Sequence, residues 1–306
     1  MKYHVFHGTT YGYSQPVSLC HNQVHLKPRT TDRQRCLLSS VDVSPIPSCQ
    51  SDWTDFFGNE ATFFSVETPH EKLSIVARSE VEVLAPLETS PAQTPPWEEL
   101  RQQLLTPRSE ETLAAAQFCP ASRFIHPSAE AHEYGLPSFP PGRPILEALL
   151  DLTGRIFHEF KYDQNATGVF TRPAEVFQSR RGVCQDFAHL QISCLRSLGL
   201  AARYVSGYLV TEPPPGKPKL VGADASHAWL SVYCGSAGWV DLDPTNNLIP
   251  GIRHITVAWG RDYADVCPIQ GVLIGGGQST LSVAVDVVEA WGGELLASPN
   301  TQLCGK

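Results

Sequence analysis

The sequence predicts an α+β protein with a β-rich N-terminal part. Three observations support this prediction. Residues 1–86 alternate polar and apolar side chains, residues 86–96 are rich in proline, and a largely apolar helical segment at 184–198 precedes several strand-like segments. Period-two alternation is typical of half-buried strands, and a helix followed by antiparallel strands is an α+β arrangement.

The N-terminal strands are predicted from short alternating runs separated by turn residues. Because these runs follow one another closely, we expect residues 1–86 to form a β-sandwich domain. The predicted strands lie within residues 3–13, 17–26, 37–43, 61–67 and 73–84.

A Pro-rich linker with short helices is predicted for residues 87–143, because Pro91, Pro95 and Pro96 interrupt regular structure. Helical character returns at 97–105 and 110–118, and residues 120–144 are again rich in Pro and Gly. Residues 144–306 then form the predicted core. Its helices are expected at 144–160, 173–178 and 184–198, and its strands at 201–210, 227–233, 239–242, 271–274 and 281–288.

The composition excludes several classes of protein. The formal net charge of −8 is a poor match for nucleic acid or an anionic membrane surface, so we expect neither as a partner. No apolar run approaches the roughly 18 residues of a membrane span, and the N-terminus lacks a secretory signal, so the sequence predicts a cytoplasmic protein. Nine cysteines without a C-x-x-C pair indicate reduced thiols rather than disulfides or a zinc ribbon.

Cys184 is the first candidate for chemistry. It stands at the predicted start of a helix, where free N–H groups and the helix dipole stabilise a thiolate and can also bind an oxyanion. A buried, inert thiol is the alternative, and position alone does not decide between the two.

A histidine and an acid follow in an order that suits nucleophilic catalysis. His227 lies at the start of a predicted strand, and Asp243 ends the next strand because Pro244 cannot continue the ladder. A hairpin between the strands places Asp243 beside His227, where a carboxylate orients the base. Asp241 lies two residues away on the same face and is the rival acid.

Three segments resemble the core motifs of transglutaminase-like proteins: 182–188 (GVCQDFA), 226–229 (SHAW) and 238–246 (GWVDLDPTN). Residues 162–163, 203–208 (RYVSGY) and 260–266 (GRDYADV) resemble a bacterial branch of that superfamily. Residues 11–17, 26–29 and 56–59 are similar to its N-terminal β domain, so the resemblance covers nearly the whole chain.

The resemblance implies a papain-like core, a Cys184–His227–Asp243 triad and amide chemistry through a thioester. It implies oxyanion donors at the Cys184 backbone N–H and at an upstream group near Tyr162. Gln185, Tyr162, Trp229 and Trp239 are expected to contact substrate or to pack in the core. Asp186 is expected to hold the start of the helix.

Three functions remain open on this sequence. A cysteine peptidase or amidase acting on peptide or protein amides is favoured over a protein-glutamine transamidase, because no calcium-loop pattern is present. A non-catalytic binding module ranks last, since all three triad residues are present. No cofactor or metal ion is predicted, because the spacing of His7, His21 and His25 matches no closed metal site.

Overall fold

A computed structural model describes residues 1–86, 89–211 and 225–290 of the 306-residue chain. Its helices and strands confirm the predicted α+β class. The helices are α1 Trp97–Leu105, α2 Glu110–Ala116, α3 Ala129–Gly135, α4 Ile145–Glu159, α5 Pro173–Ser179, α6 Cys184–Ser197 and α7 Tyr263–Val266. The strands are β1 Lys2–Val24, β2 Gln34–Ser44, β3 Cys49–Thr54, β4 Glu60–Val66, β5 His70–Val83, β6 Lys161–Tyr162, β7 Arg181–Gly182, β8 Ala202–Leu209, β9 Ala225–Tyr233, β10 Trp239–Leu242, β11 His254–Gly260, β12 Ile269–Gly275 and β13 Ser279–Glu289.

The N-terminal strands join one curled, seven-stranded sheet instead of the two packed sheets of a sandwich. The order is β2-β5-β1-β4-β3, and β12 and β13 both pair with β1. The domain boundaries predicted from sequence put β12 and β13 in the core at 144–306. Their backbone pairing with β1 instead places both strands in the sheet formed by residues 1–86. Alternation along a strand identifies the strand but not its distant partner.

Strand β1 is long enough to hold both halves of this sheet together. Its first half pairs with β5 and β13, and its second half pairs with β4 and β12, with a register shift between Gly12 and Val17. Strands β12 and β13, which both pair with β1, are connected through Gly275, Gly276 and Gly277, whose φ angles are 96°, 86° and 60°. Glycine is favoured at such left-handed positions because it lacks a Cβ atom.

The core consists of helix α6 packed on a four-stranded sheet of order β10-β9-β8-β11. Helix α6 is buried along most of its length, including Phe187, Leu190 and Leu195, as its apolar sequence predicts. The face of the N-terminal sheet that carries Tyr3 and Val5 belongs to the same buried cluster as α6. The curled sheet therefore packs directly on the core.

The segment predicted to be a linker is folded onto this core. Its helices α1, α2 and α3 supply apolar side chains to the main buried cluster, among them Leu100, Ala115 and Ala131, and the segments between the helices add Phe118 and Ile125. Helix α3 was not predicted, because Pro and Gly around it suggested an irregular surface segment. Among the described residues, no helix is long and apolar enough to cross a membrane.

Candidate active site

Cys184 is the first residue of helix α6. The two-residue strand β7 leads into it and pairs in parallel with β6, and the Asp163 N–H donates to the Gly182 carbonyl oxygen at 2.9 Å. The first N–H groups of a helix have no partner within the helix. Cys184 is partly buried and lines a cleft. The thiol therefore lies beside donors that favour negative charge.

Asp186 holds the start of this helix. Its Oδ2 accepts the Val183 N–H at 2.8 Å and the Thr167 hydroxyl at 2.5 Å, and its side chain is almost fully buried. A Cβ atom on Gly182 would lie 2.8 Å from the Asp186 side chain. Glycine at 182 therefore leaves the space that this carboxylate occupies, and Asp186 lies where a structural role was expected.

His227 lies between Cys184 and the buried side chain of Asp243. It sits near the start of β9, and its Nε2 is 2.8 Å from Oδ2 of Asp243, which directly follows β10. Because Nε2 is occupied in this way, Nδ1 is the ring nitrogen left for the thiol. Burial lowers the pKa of His227, but hydrogen bonds to Asp243 and Cys184 and the charges of both raise it to about 10. The imidazole is accordingly a cation near neutral pH.

Asp243 is fully buried and accepts hydrogen bonds on both oxygens. Besides His227, Oδ2 accepts the Asn246 amide at 2.7 Å and Nε2 of His254 at 3.1 Å, and Oδ1 accepts the Thr245 N–H at 2.9 Å. Burial raises the pKa of this carboxyl, but these hydrogen bonds and the His227 charge outweigh burial and hold the pKa well below its usual range. The carboxylate is therefore ionised and fixed in place.

The rival acid, Asp241, has a different partner. The side-chain oxygen Oδ2 of Asp241 accepts the indole N–H of Trp229 at 3.3 Å. His227 is hydrogen-bonded to Asp243 instead. The geometry thus brings Cys184, His227 and Asp243 together and leaves Asp241 beside the neighbouring tryptophan.

The cleft beside Cys184 has a volume of about 320 Å³. Its walls come from both parts of the chain. The core contributes the start of α6 and residues of β8 and β9, and the N-terminal sheet contributes residues of β1 and β13. The Cys184 thiol is consequently reached through the junction between the curled sheet and the core.

Two families match the sequence in agreement with this architecture. The family described as "Bacterial transglutaminase-like N-terminal region" matches residues 3–82, and "Transglutaminase-like superfamily" matches residues 140–244. A Mycobacterium tuberculosis protein named only as uncharacterized is 42% identical over 304 residues, which cover 97% of this chain and 95% of that protein. The chain belongs to the transglutaminase-like superfamily.

Two further proteins resemble this transglutaminase-like chain over different lengths. A crystal structure described as a candidate cysteine protease from Cytophaga hutchinsonii superposes with a TM-score of 0.72 at 21% identity, covering 98% of this chain and 95% of that one. That likeness shows the shared fold. A protein-glutamine gamma-glutamyltransferase of Pseudomonas aeruginosa is 35% identical over 86 residues, which cover 28% of this chain and 13% of that protein.

The expected substrate contacts of this transglutaminase-like chain lie in different places. Gln185 lines the cleft, and its side-chain amide donates to the Val169 carbonyl at 2.9 Å. Tyr162 is 45% exposed, and burial of its hydroxyl and the nearby charge of Cys184 raise its pKa. Trp229 is fully buried, and the partly buried Trp239 packs against other aromatic rings, so both lie in the packed interior outside the lining of the cleft.

Sequence analysis missed His254 and gave Asn246 no role. His254 is buried, its ring lies edge-on to Trp229 at 5.3 Å, and its Nδ1 has no hydrogen-bond partner among the described residues. Asn246 lay within a recognised motif, but no pattern links His254, at the start of β11, to Asp243. Ligand atoms of His227, Asp243 and His254 lie within 4.8 Å of one another, so this group has donors for a metal ion. The hydrogen bonds described above satisfy the same atoms.

Proposed function

We propose that this protein is a thiol-dependent amide hydrolase, a peptidase or amidase that acts through a thioester. The hydrogen bond between His227 and the fully buried Asp243 is the observation that carries the proposal. It holds a protonated imidazole next to a thiol at a helix start. A thiolate–imidazolium pair of this kind is an activated nucleophile with its own acid–base group.

The reaction follows from the positions of these groups. The Cys184 thiolate attacks the amide carbonyl, and the oxyanion that forms is bound by the Cys184 backbone N–H and an upstream group near Tyr162. His227 gives its proton to the leaving amine as the C–N bond breaks, which leaves a thioester on Cys184. The neutral His227 then takes a proton from water, whose oxygen attacks the thioester and releases the acid.

Water is favoured as the acyl acceptor because the described lining of the cleft offers no anchor for an amine. A lysine-type acceptor arrives as a cation, and a carboxylate is the group that holds such a cation. Among the described residues that line the cleft there is neither Asp nor Glu. The cleft is also larger than a single water site, so solvent can reach the thioester.

Protein-glutamine transamidation is the second candidate. The partial similarity to the Pseudomonas aeruginosa glutamyltransferase favours it, although that similarity covers 13% of the other protein. The same thioester forms in both reactions, and only the acceptor differs.

A product analysis distinguishes the two reactions. The protein is incubated with a blocked glutamine peptide, with and without a primary amine, and the products are weighed by mass spectrometry. We expect the hydrolysed product in both incubations, and none with the Cys184→Ala variant. A main product that carries the amine would replace hydrolysis by transamidation, and no Cys184-dependent product from a broad peptide mixture would contradict both.

The pH profile provides a further prediction. Because the pKa of His227 is raised from 6.5 to about 10, the proton needed by the leaving amine persists through neutral pH and is lost as pH rises through about 10. We expect kcat/KM for an amide to fall on that alkaline side. An activated ester, whose leaving group needs no proton, is the control and should lack this decline. An alkaline decline centred near 6.5 would contradict the strong His227–Asp243 interaction.

A further inference from the structure

One face of the N-terminal sheet lies directly beside the nucleophile. Strands β1 and β13 are antiparallel, with Thr9 opposite Val283 and Tyr11 opposite Leu281. Opposed residues in an antiparallel pair have side chains on the same face, as do alternate residues of one strand. We call the resulting surface the β1–β13 wall; it consists of His7, Thr9, Tyr11, Leu281 and Val283, all of which line the cleft with Cys184.

The side chains on this face become more exposed at the point where the cleft begins. Toward the ends of the two strands, Val5 and Val285 are 5% and 2% exposed and pack against the core. At the cleft, Val283 and Leu281 are 51% and 60% exposed. On β13 the face therefore stays aliphatic beyond the point where the core stops covering it, and Leu281 and Val283 line the cleft that also holds the thiol.

The wall carries no charge. Burial lowers the pKa of His7 to about 4, so its imidazole is neutral near neutral pH, and its ring nitrogens lie 2.9 Å from the Tyr208 hydroxyl and 3.1 Å from the Thr9 hydroxyl. Among the described residues that line the cleft there is no Lys, Arg, Asp or Glu. Outside the Cys184–His227 pair, the described lining thus lacks a group that would offset a substrate charge.

We propose that the β1–β13 wall is a substrate subsite that selects an extended peptide with an aliphatic or aromatic residue beside the reactive amide. This inference rests on the proposed amide chemistry and names its substrate class. An apolar side chain laid on Leu281 and Val283 removes apolar surface from water on both partners. A glutamate or lysine side chain at the same place loses water without gaining a counter-charge. The volume of about 320 Å³ suits a short peptide segment.

Binding to the Cys184→Ala protein tests the subsite independently of turnover. Three blocked peptides, identical except for a leucine, a glutamate or a lysine at one central position, are titrated by fluorescence anisotropy. We expect the leucine peptide to bind at least about tenfold more tightly than the two charged peptides, which is the size of effect that burial of two half-exposed aliphatic side chains supplies.

A charge exchange makes the test specific. Leu281→Lys should weaken binding of the leucine peptide and strengthen binding of the glutamate peptide, and Val283→Lys should act in the same direction. Val272→Lys is the matched control, because Val272 is a 69% exposed valine on β12 of the same sheet, outside the cleft lining. Equal binding of the three peptides, or the same behaviour of Leu281→Lys and Val272→Lys, would overturn the subsite. Selective binding without any turnover by the unmodified protein would overturn the proposed chemistry and leave the subsite in place.

Discussion

Replacing Cys184 with serine is expected to lower kcat/KM for an amide substrate by about 10⁴-fold or more, the range seen when a triad nucleophile is removed. The physical reason is that a serine hydroxyl stays protonated at neutral pH, whereas a cysteine thiol loses its proton far more readily and reacts as the thiolate. The positive end of the helix α6 dipole stabilises a negative charge on the side chain at position 184. It therefore favours a thiolate there and gives little to a neutral serine hydroxyl. Initial rates with purified protein, corrected for any residual thiol activity, provide the measurement.

Cys119 offers a matched control for this nucleophile. It is a free, partly buried thiol like Cys184, but burial raises its pKa to about 11, with a smaller opposite effect from Arg196. Cys119→Ser should leave kcat/KM unchanged, and a thiol-directed probe at neutral pH should label Cys184 well before Cys119. His227→Ala should slow the labelling of Cys184. Uniform labelling of the two thiols, or labelling unaffected by His227→Ala, would refute the thiolate–imidazolium pair.

Asp243→Asn is expected to lower kcat/KM by about 10³- to 10⁴-fold, as loss of the orienting carboxylate does in other triads. The amide carries no charge, so the pKa of His227 should fall from about 10 toward 6.5 and the imidazole should lose its cationic form at neutral pH. His254 and Asn246 also lose their shared acceptor on Oδ2. Steady-state kinetics together with the pH profile of kcat/KM measure both effects.

Asp241→Asn is the paired control for Asp243→Asn. Asp241 lies on β10, two residues before Asp243, and its carboxylate contacts Trp229. The substitution keeps an oxygen that can accept the indole N–H, so we expect kcat/KM within about threefold of the unmodified protein, the spread usual for changes away from the chemistry. Thermal unfolding of both variants checks that the fold is retained. Equal losses in the two variants would contradict the assignment of Asp243.

The local pattern of apolar and polar residues was enough to predict several helices and strands. Helix α6 could be located because its apolar residues recur at helical spacing, and β9 and β10 because each is a short apolar run next to turn residues. The positions of Cys184, His227 and Asp243 followed from these elements and from three ordered motifs. The contact between His227 and Asp243 crosses the β9–β10 hairpin, a short-range arrangement that a single sequence can suggest.

The features that escaped prediction depend on contacts between distant parts of the chain. His254 reaches Asp243 only after the chain has left β10 and returned through β11. The β1–β13 wall joins residues near opposite ends of the described chain, and no alternation pattern specifies which strand pairs with which. Helix α3 was missed for another reason, because the prolines that flank it suggested a loop.

The pairing of β13 with β1 has a consequence for synthesis on the ribosome. Chain growth starts at the N-terminus, so β1 emerges more than 250 residues before β13, its partner beside the cleft. Closing such a long loop is slow and costs chain entropy that local contacts cannot offset early. A nascent chain that already contains Cys184, His227 and Asp243 therefore still lacks one side of its cleft. The cleft becomes complete only when β13 has been made, and a chain that stops before β13 lacks the residues Leu281 and Val283 that line it.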